Sequence, residues 1–169
     1  MNFFTSLYRK MFPLVLHGTR YPWTATVDGD DIVVTGQGAT WFGGSNDPQD
    51  TPTWAGETAS GLNTISNPDF YGCSLPMDYG GLFSEIHNPC QGSPLKKLPW
   101  NTQVIVTNRA NNEPVTVSLV EDGPAAPPSA TAAIDLMRAP FEKIGGDINN
   151  GRLLVDYRII NGAKLLNLV

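Results

Sequence analysis

Apolar residues recur at every second position in several short runs bounded by Gly, Pro, Asn and Asp. That period sets one face of each run against a core and the other towards solvent, as in half-buried β-strands. TATV and DIVVT flank Asp28-Gly29, a hairpin signal. Gly36 and Gly38 allow a bend, after which ATWF reads as a further strand. TQVIVTN and EPVTVSLVED pair across a turn at Asn111-Asn112, and AIDL reads as a short strand or turn. GRLLVDYRII is a long strand with Leu153, Val155, Tyr157 and Ile159 on one face. Residues 138–144 form the one expected helix, with Pro140 near its first turn and Gly145-Gly146 ending it. The pattern therefore predicts strands near 31–35, 38–42, 103–107, 115–120, 132–136 and 152–160.

The remainder is less periodic. Residues 43–99 are rich in Gly, Pro, Asn, Ser and Asp. A structureless loop of that length is unusual in a compact domain, so short helical turns and a buried strand segment are expected within it. GPAAPPSA is excluded from regular structure because its prolines lack backbone donors. Residues 1–22 are apolar without a sustained period and read as a terminal arm packed on one domain spanning 23–169.

Composition narrows the classes. The hydrophobic fraction of 41% against 16% charged residues is that of a folded globular chain. With 17 scattered glycines and 14 prolines it leans towards many short strands. A net charge of −5 disfavours nucleic acid and suits a neutral ligand. No stretch is long enough to span a membrane as a helix. The start faintly imitates a signal peptide, but its apolar run 11–16 is short, broken by Pro13 and followed by no clear cleavage site. The fingerprints GxSxG, P-loop and dinucleotide-binding are absent in usable context, and no cofactor is implied. His87 with Cys73 and Cys90 lacks paired metal-ligand spacing, so no metal is expected and His87 reads as structural or solvated. The two cysteines are either bonded or two buried thiols. Neither segment reads as regular core, which favours the bond if the protein is exported.

The pieces LPWNTQVIVTN, EDGP and IDLM, the helix at 138–144, IGG, and LLVDYRII follow one another in order. GATWFGG and TASG lie upstream. Together, over residues 36–160, they resemble the double-psi β-barrel of rare lipoprotein A and of the expansins. The resemblance implies a mainly β, six-stranded double-psi β-barrel with one short helix and a long decorated loop. It also implies a cell-wall polysaccharide as partner and an extracellular or envelope location.

The resemblance makes Asp135 the first candidate for catalysis, as the aspartate of the "IDLS" or "HFD" segment. Flanked by Ile134 and Leu136, its carboxyl is expected to be desolvated into a general acid. The bland alternative is an aspartate bonded to backbone. Glu121 and Asp122, in the "DRGP"-like turn, are the candidate second carboxyl, or else a solvated turn. Trp41, Trp54, Tyr71, Tyr79 and Trp100 are candidate sugar-stacking platforms, Trp54 the likeliest to be exposed and Trp41 equally consistent with core. Two departures weigh against peptidoglycan transglycosylase chemistry. Rare lipoprotein A has a glutamate directly after TASG where this chain has Leu62, and a histidine before the LP motif at about the position of Leu95. Three readings follow: a glycan-cleaving enzyme, a wall-binding module without catalysis, and a structural barrel.

Overall fold

The computed structural model describes residues 13–44, 47, 56–80, 90–124 and 132–169. Strand β1 (Val15–His17) pairs antiparallel with β2 (Thr24–Asp28), which forms the expected hairpin with β3 (Asp31–Phe42). Next come β4 (Gly72–Leu75), β5 (Met77–Asp78), β6 (Leu95–Lys96), β7 (Gln103–Asn108), β8 (Pro114–Asp122) and β9 (Ala132–Met137). Helix α1 (Arg138–Lys143), β10 (Leu153–Ile159) and a one-turn helix α2 (Gly162–Leu165) complete the described elements.

Six strands close on themselves in the order β3-β10-β7-β8-β4-β9 and back to β3, a mixed barrel. The pairs β3–β9 and β4–β8 are parallel and the other four antiparallel. This topology is double-psi-like. In the barrel, β3 pairs with β9 and β10, and β4 pairs with β8 and β9, none of them its neighbour in sequence, so the two halves of the chain interlock in one sheet. Closure leaves the barrel strands without a free edge. Alternate residues fill the interior, among them Ile32, Val34, Ala39, Leu75, Val104, Val106, Leu119, Ile134, Leu136, Val155 and Tyr157. The β2–β1 ribbon extends beyond the barrel. Tyr21 and Trp23 beside it are buried, and Thr19 and Arg20 donate backbone N–H groups to Gly92 O.

Two strand assignments change. The segments expected at 31–35 and 38–42 are one strand, bent at Gly36. Gly36 has φ +63°, a left-handed conformation that glycine adopts without strain, and a Cβ there would push on Arg109 Nη1 at 2.8 Å. Its N–H donates to Asp156 Oδ1 at 2.7 Å, where β10 also shifts register. The sixth barrel strand is instead β4, inside the stretch expected to hold a buried segment. All four of its residues are buried, so it lacks the alternation that marks the others. Helix α1 lies where expected and ends in Gly145 at φ +87°, whereas α2 had no sequence signal. No helix among the described residues is long and apolar enough to cross a membrane.

Candidate functional site

The barrel's pairing register lines up four polar residues on adjacent strands. Thr40 on β3 faces Asp135 on β9, Asp135 faces Ser74 on β4, and Ser74 faces Glu121 on β8. Register partners share a face, and the neighbours Ala39, Ile134, Cys73 and Leu75 belong to the interior. The row therefore lies on the outer face of the barrel wall. A bulge sets its far end: β8 shifts register between Leu119 and Glu121, so Glu121 rather than Val120 stands opposite Ser74. Bulges that re-aim a side chain are common beside functional sites.

Asp135 is the most perturbed member. Thr40 Oγ1 donates to its Oδ1. Part of the residue's surface stays exposed, while protein crowds its carboxyl. Desolvation pushes that carboxyl from the ordinary 3.8 up to about 7, with the negative charge of Asp47 adding to the effect. Asp47 is held close by its own turn: Gly43 N–H donates to Asp47 Oδ2 at 2.8 Å and Asp47 N–H to Gly44 O at 3.1 Å. The sequence reading passed over Asp47. Its only local signal is the SND turn after GATWFGG.

Glu121 closes the row beneath the TASG segment. Ala59 N–H donates to its Oε2 at 2.9 Å, and Ser60 N–H donates to Val120 O at 3.0 Å. Burial raises the Glu121 carboxyl, and bonds from the Asp122 and Ala59 amides oppose that rise. Leu62 is half-buried at the end of the TASG turn, where Thr58 Oγ1 donates to its carbonyl at 2.8 Å. Leu95 is fully buried in the core, so no polar group could serve a surface site from that position.

Asp122 stands apart from the row. It pairs with Leu75, one residue further along, and so leaves β8 on the other face. Its Oδ1 accepts Met77 N–H at 3.0 Å, and Tyr79 and Cys90 also bond its carboxyl. Burial raises its pKa and those three bonds oppose the rise. Pro124 O beside it accepts the Tyr21 hydroxyl at 3.0 Å and the Cys90 thiol at 3.8 Å. This cluster ties the segments around residues 21, 77, 90 and 122 into one knot at the end of the barrel where β8 leaves.

Most of the described aromatic candidates are engaged in the core or in other bonds. Trp41 packs against the core and spends its indole N–H on Ile148 O at 3.2 Å. Tyr79 bonds Asp122, which with burial raises its hydroxyl pKa, and carries the Lys97 ammonium 4.7 Å above its ring. Trp100 is half-buried against the core. Tyr71 is 39% exposed just before β4, which makes it the described candidate open to a ligand. Trp54 and His87 lie outside the described residues.

The expected disulfide is absent: Cys73 and Cys90 are buried free thiols. The expectation rested on both segments being irregular, but β4 is a core strand and turns Cys73 inward beside Leu136. Burial raises both thiols, Cys90 to about 12, so neither is a ready nucleophile. Among the described residues no group of three or more His, Cys, Asp or Glu side chains could hold a metal ion.

No family model matches the chain, and no curated protein matches it. Among solved structures it is similar to one titled "Streptomyces papain inhibitor (SPI)". That match has 17% identity and a TM-score of 0.45, and covers 76% of this chain and 94% of the other. Both values are too low to bear on function.

Proposed function

We propose that the protein binds a cell-wall-type polysaccharide across the outer face of the barrel, with Asp135 as a proton-donating carboxyl on that face. The observation that carries this reading is the row Thr40–Asp135–Ser74–Glu121 on four adjacent strands. A carboxyl whose pKa is raised to about 7 is still substantially protonated at neutral pH and can protonate a glycosidic oxygen. Glu121 lies two strands away, on the order of 9 Å at the usual strand spacing. That separation is near the upper end for a carboxyl pair that leaves room for a water in inverting glycoside hydrolysis. Asp47, whose negative charge reaches Asp135, is a further carboxyl close to the row. The exposed ring of Tyr71 supplies one apolar face for a sugar.

A second reading, binding without cleavage, is favoured by Leu62 and by the buried Leu95. They stand where rare lipoprotein A carries polar site residues. One experiment separates the two. The protein is incubated with purified peptidoglycan and with cellulose, and both pelleting and soluble products are measured. Cleavage predicts soluble product that D135N lowers by about a hundred- to ten-thousand-fold, with the fold intact. Pelleting without product assigns a binding module. Neither pelleting nor product with any wall polymer refutes the glycan reading.

A further inference from the structure

Ser74 is an anomaly in the barrel. It is 2% exposed, and its Oγ has no hydrogen-bond partner among the described residues. A buried hydroxyl without a partner costs free energy and calls for an explanation. A purely structural small residue here would be better served by alanine. The register supplies the explanation, because Ser74 stands between Asp135 and Glu121 on the same face of the wall. Directly opposed residues on antiparallel strands hold their Cβ atoms about 5 Å apart. A turn about χ1 therefore brings a serine hydroxyl within reach of an aspartate opposite.

We propose that Ser74 is a positioning residue of this site, its hydroxyl unbonded among the described residues and able to turn to Asp135 when that carboxyl gives up its proton. Among the described residues, the groups around Asp135 leave that task to Ser74. From β3, Thr40 already donates to Oδ1. From the β3–β4 connection, Asp47 brings negative charge. On the interior side, the Cys73 thiol is buried and stays protonated. Glu121, beyond Ser74, has both oxygens occupied by the Ala59 and Asp122 amides. A protonated Asp135 supplies its own O–H and needs one donor, which Thr40 provides. The carboxylate has two acceptor oxygens and needs a second donor. Ser74, directly opposite on β4, can supply that second donor.

The inference rests on the reading of Asp135 as the proton donor, but its test needs no glycan, so the two can fail separately. The test follows the Asp135 side-chain carboxyl by carbon NMR from pH 4 to 9 in wild type, S74A and S74C. Removing a donor to the ionised form raises the midpoint. Hydrogen bonds to charged groups have the size that moves a pKa by about one unit. S74A is therefore expected to titrate about one unit above wild type. S74C, which keeps the volume and offers only a weak donor, is expected to shift in the same direction by less. D135N would remove the titration and confirm the assignment of the signal. A midpoint unchanged in both folded serine variants overturns the proposal. So does a midpoint that falls, since the hydroxyl would then have been bonding the protonated acid.

Discussion

Replacing Asp135 with asparagine isolates the electrostatic cost of its burial. The side chain keeps its shape and an oxygen for the Thr40 hydroxyl, but it no longer ionises. In wild type the carboxyl is raised from 3.8 to about 7, a shift of about three units. At about 1.4 kcal/mol per unit this is about 4 kcal/mol of pH-dependent stability. The sign follows from proton binding. Between pH 4 and 7 the folded protein keeps a proton that the unfolded chain has released. The favourable contribution is therefore full below the unfolded pKa and is lost as pH rises through the folded value. D135N should gain on wild type by about 4 kcal/mol from pH 4 to pH 8, with the change concentrated between about 4 and 7. The assay is urea unfolding of both proteins at half-unit pH steps. Other carboxyls with shifted pKa values, such as Asp78, Glu121 and Asp122, are common to both proteins and cancel in the difference. Since Asp47 is the second cause of the shift, D47N should lower the Asp135 midpoint. Two unfolding profiles that stay parallel across the range would show that Asp135 is not desolvated and would remove the basis for its role as an acid.

Asp122→Ala strips an acceptor from Met77 N–H, Tyr79 and Cys90 at once. It should cost about 2–4 kcal/mol in thermal or urea unfolding, while the Asp135 titration stays where it is. A Cβ on Gly146 would sit 2.4 Å from the buried Phe141 ring and 2.6 Å from its carbonyl. Gly146→Ala should therefore destabilise by about 1–3 kcal/mol, and an unchanged unfolding midpoint would contradict the packing around α1. Thiol labelling without reductant should find two reactive cysteines in unfolded protein and almost none in folded protein, since Cys73 and Cys90 are free and buried; failure to label the unfolded chain would mean that they are bonded.

The sequence by itself determined the elements whose signals are local. Alternation marked β7, β8 and β10, Asp28-Gly29 marked the β2–β3 hairpin, and Pro140 with Gly145 bounded α1. Each needs only a few neighbouring residues to reveal which face is buried or where a helix must stop. β4 escaped because both of its faces are covered, which erases the alternation, and four residues are too few to outweigh their Gly- and Asn-rich surroundings. The two halves of β3 were separated because a glycine pair reads as a break, whereas Asp156 and Arg109 on distant segments hold the bend at Gly36 in one strand. The candidate site is less legible still. Asp135 and Glu121 stood out as carboxyls in motifs, but their place in one row with Thr40 and Ser74 depends on three strand registers and one bulge. Asp122, adjacent to Glu121 in sequence, falls on the opposite face. A one-residue change of register would exchange the two. Which neighbour joins the Asp135 row, that the charge of Asp47 reaches Asp135, and that the Ser74 hydroxyl has no partner among the described residues were decided only by closure of the barrel, because pairing between segments tens of residues apart leaves no periodic trace in either.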